Sequence, residues 1–309
     1  MPTLHEIIDQ IKTTPVPSAS DVVRREYLAK LNRLTGRATL LYASSFTVKE
    51  APSNISSINR QDIQGFMSAL KGITGTELDL IVHSPGGSAS ATEQIVNYLR
   101  EKFSDIRVIV PQNAMSAATM LACAANRIVM GKHSALGPID PQVTLCLPGG
   151  GVNTAPAQSL LDEFLLAQQT INVPTNNPLL WIKKIEQYPP ALLIECQKVI
   201  ELSQRLIKGW LDKYMFAGDD QGPSKAQEIS AWLGKNENFL THDRSISIQL
   251  AREKGLIVEP LESDQSLQEA VLSVFHATVA TFMTTTCFKI VESHLGAGWY
   301  LSAEVKQAK

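Results

Sequence analysis

The residues best placed to do chemistry lie between 83 and 116. HSPGG (83–87) ends one apolar run, ELDLIV (77–82), and QNAMS ends another, RVIVP (107–111). Two glycines after a proline let the backbone present N–H groups with no side chain in the way. Ser116 opens SAATMLACAA (116–125), a small-residue run that reads as a buried helix. Unpaired N–H groups and the positive end of the dipole at such a start favour an oxyanion. A serine followed by the N–H of Ala117 and faced by that of Gly87 is the skeleton of an acyl-transfer site. Neither signal is specific alone: a serine before a helix is a common N-cap, and SPGG is most often just a turn. The weight lies in the succession of strand, SPGG, helix, strand and serine-opened helix.

A nucleophilic serine needs a base within roughly 2.6–3.2 Å, and the base needs an orienting partner. The chain has six histidines. His5 sits in the leader, His276 in an apolar helical run and His294 near the C-terminus. His83 precedes SPGG and reads as a packing residue. His133 and His242 remain as bases, and their spacing from Ser116 does not decide between them. Lys132 or Lys183 is a third route, because desolvation can make a lysine a neutral base. Asp140, in GPIDPQ, has an ordinary reading as a turn residue. Asp243 is a poor orienter for His242, since adjacent side chains in an extended segment point apart.

These groups have to be positioned by alternating strands and helices. ATLLYA (38–43), ELDLIV, RVIVP and RIVMG (127–131) are short apolar runs of strand length, separated by helical patterns. A helix is expected from Asp21, as N-cap, to Gly36, and another with Ile63, Phe66, Met67 and Leu70 inward. Such alternation implies βαβ units and a largely parallel sheet, whose ligands gather at the carboxyl ends of the strands. Further on, VTLCLPGGGVNTAP is expected to form a hairpin around Gly149–Gly151. The expected organisation is one α/β domain over 1–309, with a helical insertion at about 156–235 and a helical tail at about 263–309.

The run IVHSPGGSASATEQIVNYLREKFSDIRVIVPQNAMSAATMLACAANRIVMGKHSALGPIDPQ resembles the serine dehydrogenase proteinase family. That family is a distant relative of the Clp proteolytic subunit and of signal peptide peptidase A. The likeness extends upstream through YLAKLNRLTGRATLLYASSF and more loosely downstream to THDRSIS and KGLIVEPLESDQSLQEAVLSVFHA. It implies a Clp-protease/crotonase-like core of repeated ββα/βαβ units with additional helical segments. It also implies a serine peptidase with a Ser–Asp–His triad in that chain order. AMSA supplies Ser116 as nucleophile, GPIDPQ supplies Asp140 as acid, and THDRSIS supplies His242 as base. The N–H groups of Gly87 and Ala117 form the oxyanion hole. Relatives of this fold assemble into rings and chambers, so the resemblance implies a homo-oligomer acting on peptides or proteins. The word dehydrogenase in the family name refers only to a substrate, and with no GxGxxG after a strand no nicotinamide site is expected.

Two other classes stay open. The same fold serves acyl-CoA enzymes, for which Glu93 is the nearest carboxylate acid/base, and it also serves non-catalytic oligomeric scaffolds. A net charge of −2 with scattered basic residues gives no reason to expect nucleic acid as a partner. Cys123, Cys146, Cys196 and Cys287 lie far apart, which argues against a zinc site or a disulfide framework. No metal, nucleotide or organic cofactor is expected, and with no P-loop any ATP-driven unfolding would need a separate partner. The N-terminal stretch lacks a signal-peptide pattern, and no apolar run reaches the ~18–20 residues of a membrane span. A cytoplasmic protein is therefore expected.

Overall fold

The computed structural model describes residues 1–50, 53–146, 150–173 and 177–303. Helices α1 (Leu4–Thr13) and α2 (Ala19–Thr35) lead into strand β1 (Ala38–Ser44). Then follow α3 (Asp62–Ala69), β2 (Glu77–His83), α4 (Ala89–Lys102), β3 (Asp105–Val110), α5 (Ala117–Cys123) and β4 (Arg127–Met130). A hairpin, β5 (Gln142–Cys146) and β6 (Val152–Pro156), precedes four helices. These are α6 (Ala157–Ile171), α7 (Leu179–Ile185), α8 (Leu192–Trp210) and α9 (Gly222–Gly234). The chain closes with α10 (Ile248–Glu253), β7 (Val258–Pro260), α11 (Gln265–Thr284), β8 (Cys287–Ser293) and β9 (Gly298–Ser302). The apex of the expected hairpin includes Gly149, which lies outside the described residues.

Seven strands form one sheet in the order β9–β8–β1–β2–β3–β4–β7. The five from β1 to β7 run parallel, and β8 and β9 are antiparallel additions at one edge. Both faces are covered, so the central strands read as unbroken apolar runs. Leu40, Tyr42, Leu80, Val82 and Val108 pack toward α3, α4 and α5. Leu41, Ala43, Ile81 and Ile109 point the other way, onto Leu28 and Leu31 of α2 and Val271 and Leu272 of α11. This alternation with period two makes a three-layer α/β/α arrangement. Helices α8 and α9 join the α5 side of the core through Ile207, Trp210, Ile229 and Leu233.

Two expectations need correction. The N-cap position of α2 is Ser18, while Asp21 sits inside the first turn and pairs with Arg24. Among the described residues of the stretch at about 263–309, Gln265–Thr284 is helical, and the later part supplies β8 and β9. The strand pattern there is masked by charges in a fully buried segment. Lys289 and Glu292 have no exposed surface, because Asp62 neutralises the first and Arg24 and Arg25 the second. Those partners lie more than two hundred residues away in sequence, so a local reading has no access to them.

Candidate active site

The carboxyl ends of β2, β3 and β4 open toward one side of the sheet, and the chain segments leaving them are tied together. Ser84 N–H donates to Asn113 O (3.0 Å), and Met115 N–H donates to Ser84 O (3.0 Å). Gly137 N–H donates to Ala114 O (3.2 Å) and to Thr119 Oγ1 (3.0 Å). The serine loop is thus stitched between the SPGG turn and the segment that carries Asp140.

Ser116 stands at the N-cap of α5 with φ 51° and ψ −118°. A β-carbon makes positive φ costly, by about 1–3 kcal/mol when the surroundings enforce it. The enforcing contacts come from glycines. A Cβ on Gly86 would lie 2.4 Å from Met115 O and 2.7 Å from Ser116 Cβ. On Gly87, whose φ is 147°, it would lie 2.4 Å from Ile58 O. Among the described residues, neither Gly87 N–H nor Ala117 N–H is given to a backbone acceptor. Ile58 holds this turn from outside: its N–H donates to Gly86 O (2.7 Å) and its carbonyl accepts from Ser88 N–H (2.9 Å).

Asp140 is 1% exposed, and its Oδ1 lies 2.8 Å from His242 Nδ1. Its second oxygen accepts from Gln142 Nε2 at 2.8 Å. Residue 242 reaches this place because Leu136 and Ile246 exchange a reciprocal pair of backbone hydrogen bonds (3.0 and 2.8 Å), laying the 240s beside the 130s. The imidazole is partly exposed and faces a cleft of about 400 Å³. Ser116, Ala117, Gly87 and His242 all line that cleft; Met120 and Ile139 form its floor, and Val199 and Leu202 of α8 its far wall. Ser116 and His242, far apart in the chain, thus line one cleft, and the buried Asp140 touches His242 from outside that lining.

The other candidates lie elsewhere. The His133 ring is engaged with Pro111 O (Nε2 to O 2.9 Å), and its side chain is not among those lining the cleft. Lys132 is exposed, and its backbone N–H donates to Glu262. Lys183 is exposed on α7. Glu93 sits on α4 away from the cleft lining. His83 is buried between Phe46 and Phe275, and burial pushes its imidazole down to about 3. Its Nδ1 accepts from Asn113 N–H, and its Nε2 lies 3.1 Å from Thr47 Oγ1, so it packs as a neutral ring. Among the described residues no group of three or more His, Cys, Asp and Glu could hold a metal ion.

Two residues escape the sequence reading. Gln142 stands in the same GPIDPQ motif as Asp140, and its side chain bonds the carboxylate two residues earlier. Gly86 is the first glycine of SPGG, and it is the one that lies against Ser116. Both were visible as letters; what they touch was not.

The chain is 31% identical over 182 residues to the uncharacterized protein MJ1495 of Methanocaldococcus jannaschii, covering 59% of this chain and 51% of that one. The chain spans about half the length of the curated relatives it matches. Two solved structures are similar at low identity. One is the 1510-N membrane-bound stomatin-specific protease (15% identity, TM-score 0.38, covering 66% of this chain and 75% of that one). The other is ClpP1 from Listeria monocytogenes (14%, TM-score 0.35, covering 77% and 99%). Residues 58–163 match the family described as ClpP-like SDH-type serine proteinase. That matched segment holds the SPGG turn, Ser116 and Asp140.

Proposed function

We propose that this protein is a serine peptidase that works through an acyl-enzyme on Ser116. The observation that carries the reading is the 2.8 Å contact of Asp140 with His242 in the cleft that Ser116 lines. With Nδ1 of His242 engaged by Asp140, its Nε2 is the nitrogen left to take the Ser116 proton. Ser116 Oγ attacks a scissile carbonyl, and Asp140 holds the tautomer and stabilises the imidazolium that forms. The N–H groups of Gly87 and Ala117 receive the oxyanion, one such donor contributing about 3 kcal/mol to the transition state. His242 then protonates the leaving amine, and water cleaves the ester. Two features support the roles: the strained backbone of Ser116, of a kind that collects at active sites, and the closeness of Gly86.

The reading extends to peptide or protein substrates, a homo-oligomer and a cytoplasmic setting. A purified sample treated with a fluorophosphonate probe tests the chemistry. Wild type should label at Ser116 and Ser116→Ala should not. His242→Ala and Asp140→Asn should lower turnover of a peptide amide by about 10⁴-fold. Labelling and turnover that survive loss of His242 would remove it as the base and return His133, Lys132 and Lys183 to consideration. A folded wild type that neither labels nor cleaves would sink the peptidase reading.

A further inference from the structure

The cleft does not end at its apolar wall. Leu202 of α8 lines the catalytic cleft and also lines a second groove, of about 610 Å³, between α8 and α9. Passing Leu202 toward the C-terminal end of α8, that groove presents Arg205 and Lys208, with Lys198 at its other end and Glu201 as its one acidic side chain. Lys198 is paired with Glu195 at 2.9 Å. Arg205 and Lys208 are exposed and have no ion-pair partner among the described residues. They lie three and six residues beyond Leu202 along α8, and all three line this groove.

The two halves of this surface differ in kind. Around Ser116 the wall is Met120, Ile139, Val199 and Leu202, and the lining includes no Asp, Glu, Lys or Arg. Ser203, beside them, donates its hydroxyl to Val199 O (3.0 Å) and so offers no free donor. Beyond Leu202 the groove is basic. Both α8 and α9 lie beyond residue 163, where the match to the family ends.

We propose that α8 is the specificity wall of the peptidase site, and that it selects an extended peptide with an uncharged apolar residue at the cleft and acidic residues further along one side. The inference rests on the peptidase reading above. A helix rises about 1.5 Å per residue, so Arg205 and Lys208 stand ~4.5 and ~9 Å further along α8 than Leu202. An extended peptide advances about 3.3 Å per residue. Acidic side chains about one to three residues from the one at Leu202 therefore meet the two unpaired cations. Exposed charges of this kind act mainly on encounter and on KM, and salt screens them.

The test is a set of peptides with leucine at the cleaved position and with Glu, Gln or Lys placed one to three residues to either side. Wild type should favour the Glu peptides over the Lys peptides about five- to tenfold in kcat/KM, on one side only, with the gap closing in ~0.5 M salt. The Arg205→Glu/Lys208→Glu double variant should reverse that ratio. Leu202→Lys should move the preference at the cleaved position from leucine to aspartate or glutamate. Equal use of Glu and Lys peptides by wild type, or a ratio unchanged in the double variant, would overturn the proposal. Fluorophosphonate labelling of the same wild-type sample separates the two failures. A labelled enzyme with no charge preference loses only this inference, whereas an unlabelled one loses the peptidase reading and this inference with it.

Discussion

Gly86 is held to glycine by its neighbours as much as by its own backbone. Its φ of 93° and the 2.4 Å approach of Met115 O leave no room for a methyl group. Gly86→Ala should lower stability by about 2 kcal/mol or more and abolish Ser116 labelling, since the displaced carbonyl belongs to the residue before the nucleophile. Chemical denaturation and probe labelling on one sample check both effects. Gln142 acts one step further from the reaction. Its amide is the second hydrogen-bond donor to a buried carboxylate whose other oxygen faces His242. Such a bond to a charged group contributes roughly 1.5–3 kcal/mol. Gln142→Leu should therefore reduce kcat about tenfold or more while leaving KM nearly unchanged, in a steady-state comparison with wild type. A matched loss in KM would make Gln142 a substrate contact instead of a support for Asp140.

At the scale of elements, α8 lines the cleft with Val199 and Leu202, and its start is strained. Ala191, at its N-cap, has φ 65°, a conformation that costs a β-carbon but not a glycine. Ala191→Gly should raise stability by up to about 1 kcal/mol, the reverse of the usual effect of glycine. A rise in the urea midpoint would show it; a fall would mean that the methyl group makes compensating contacts. The 240s carry similar strain at Leu240, with φ 68°, two residues before His242. The cross-bridge between Leu136 and Ile246 spans the other side of that residue. Residue 242 is thus delivered by a segment pinned on one flank and strained on the other.

Across the whole molecule, the C-terminal strands connect the sheet edge to the SPGG turn. Lys289 of β8 donates to Asp62 (2.8 Å) and to Ser57 O (2.7 Å). Asp62 also accepts from Tyr42 and from Asn59 N–H, and Ile58, between those anchors, clamps Gly86 and Ser88. Lys289→Met leaves Asp62 buried without its cation and should cost about 3–5 kcal/mol; thermal unfolding measures it. Truncation before β8 should lose activity as well as stability. His83 gives the fold an acid dependence. Burial lowers its pKa from 6.5 to about 3, so below 6.5 the unfolded chain binds a proton that the native protein refuses. Its contribution is complete above pH 6.5 and declines toward pH 3, at up to about 1.4 kcal/mol per pH unit. Urea titrations across that window should show a shallower slope for His83→Gln than for wild type.

Much of this was legible in the residues themselves. The central strands announce themselves as continuous apolar runs because both faces are covered, and SPGG and the serine before a small-residue helix mark the ends of two of them. The strands that carry buried charge were not legible. Lys289 and Glu292 are tolerated only because Asp62, Arg24 and Arg25 arrive from the other end of the chain. The site divides in the same way. Residue types at 86, 87, 116 and 117 determine a tight turn facing a helix start, because local backbone freedom and a helix start are properties of neighbouring residues. The residues by themselves left His133 and His242 open, and only the resemblance pointed to His242; that His242 faces Asp140, that Gln142 bonds the same carboxylate, and that α8 lines the far side are tertiary facts. Each depends on distances between segments that only the packed sheet and its cross-bridges bring together.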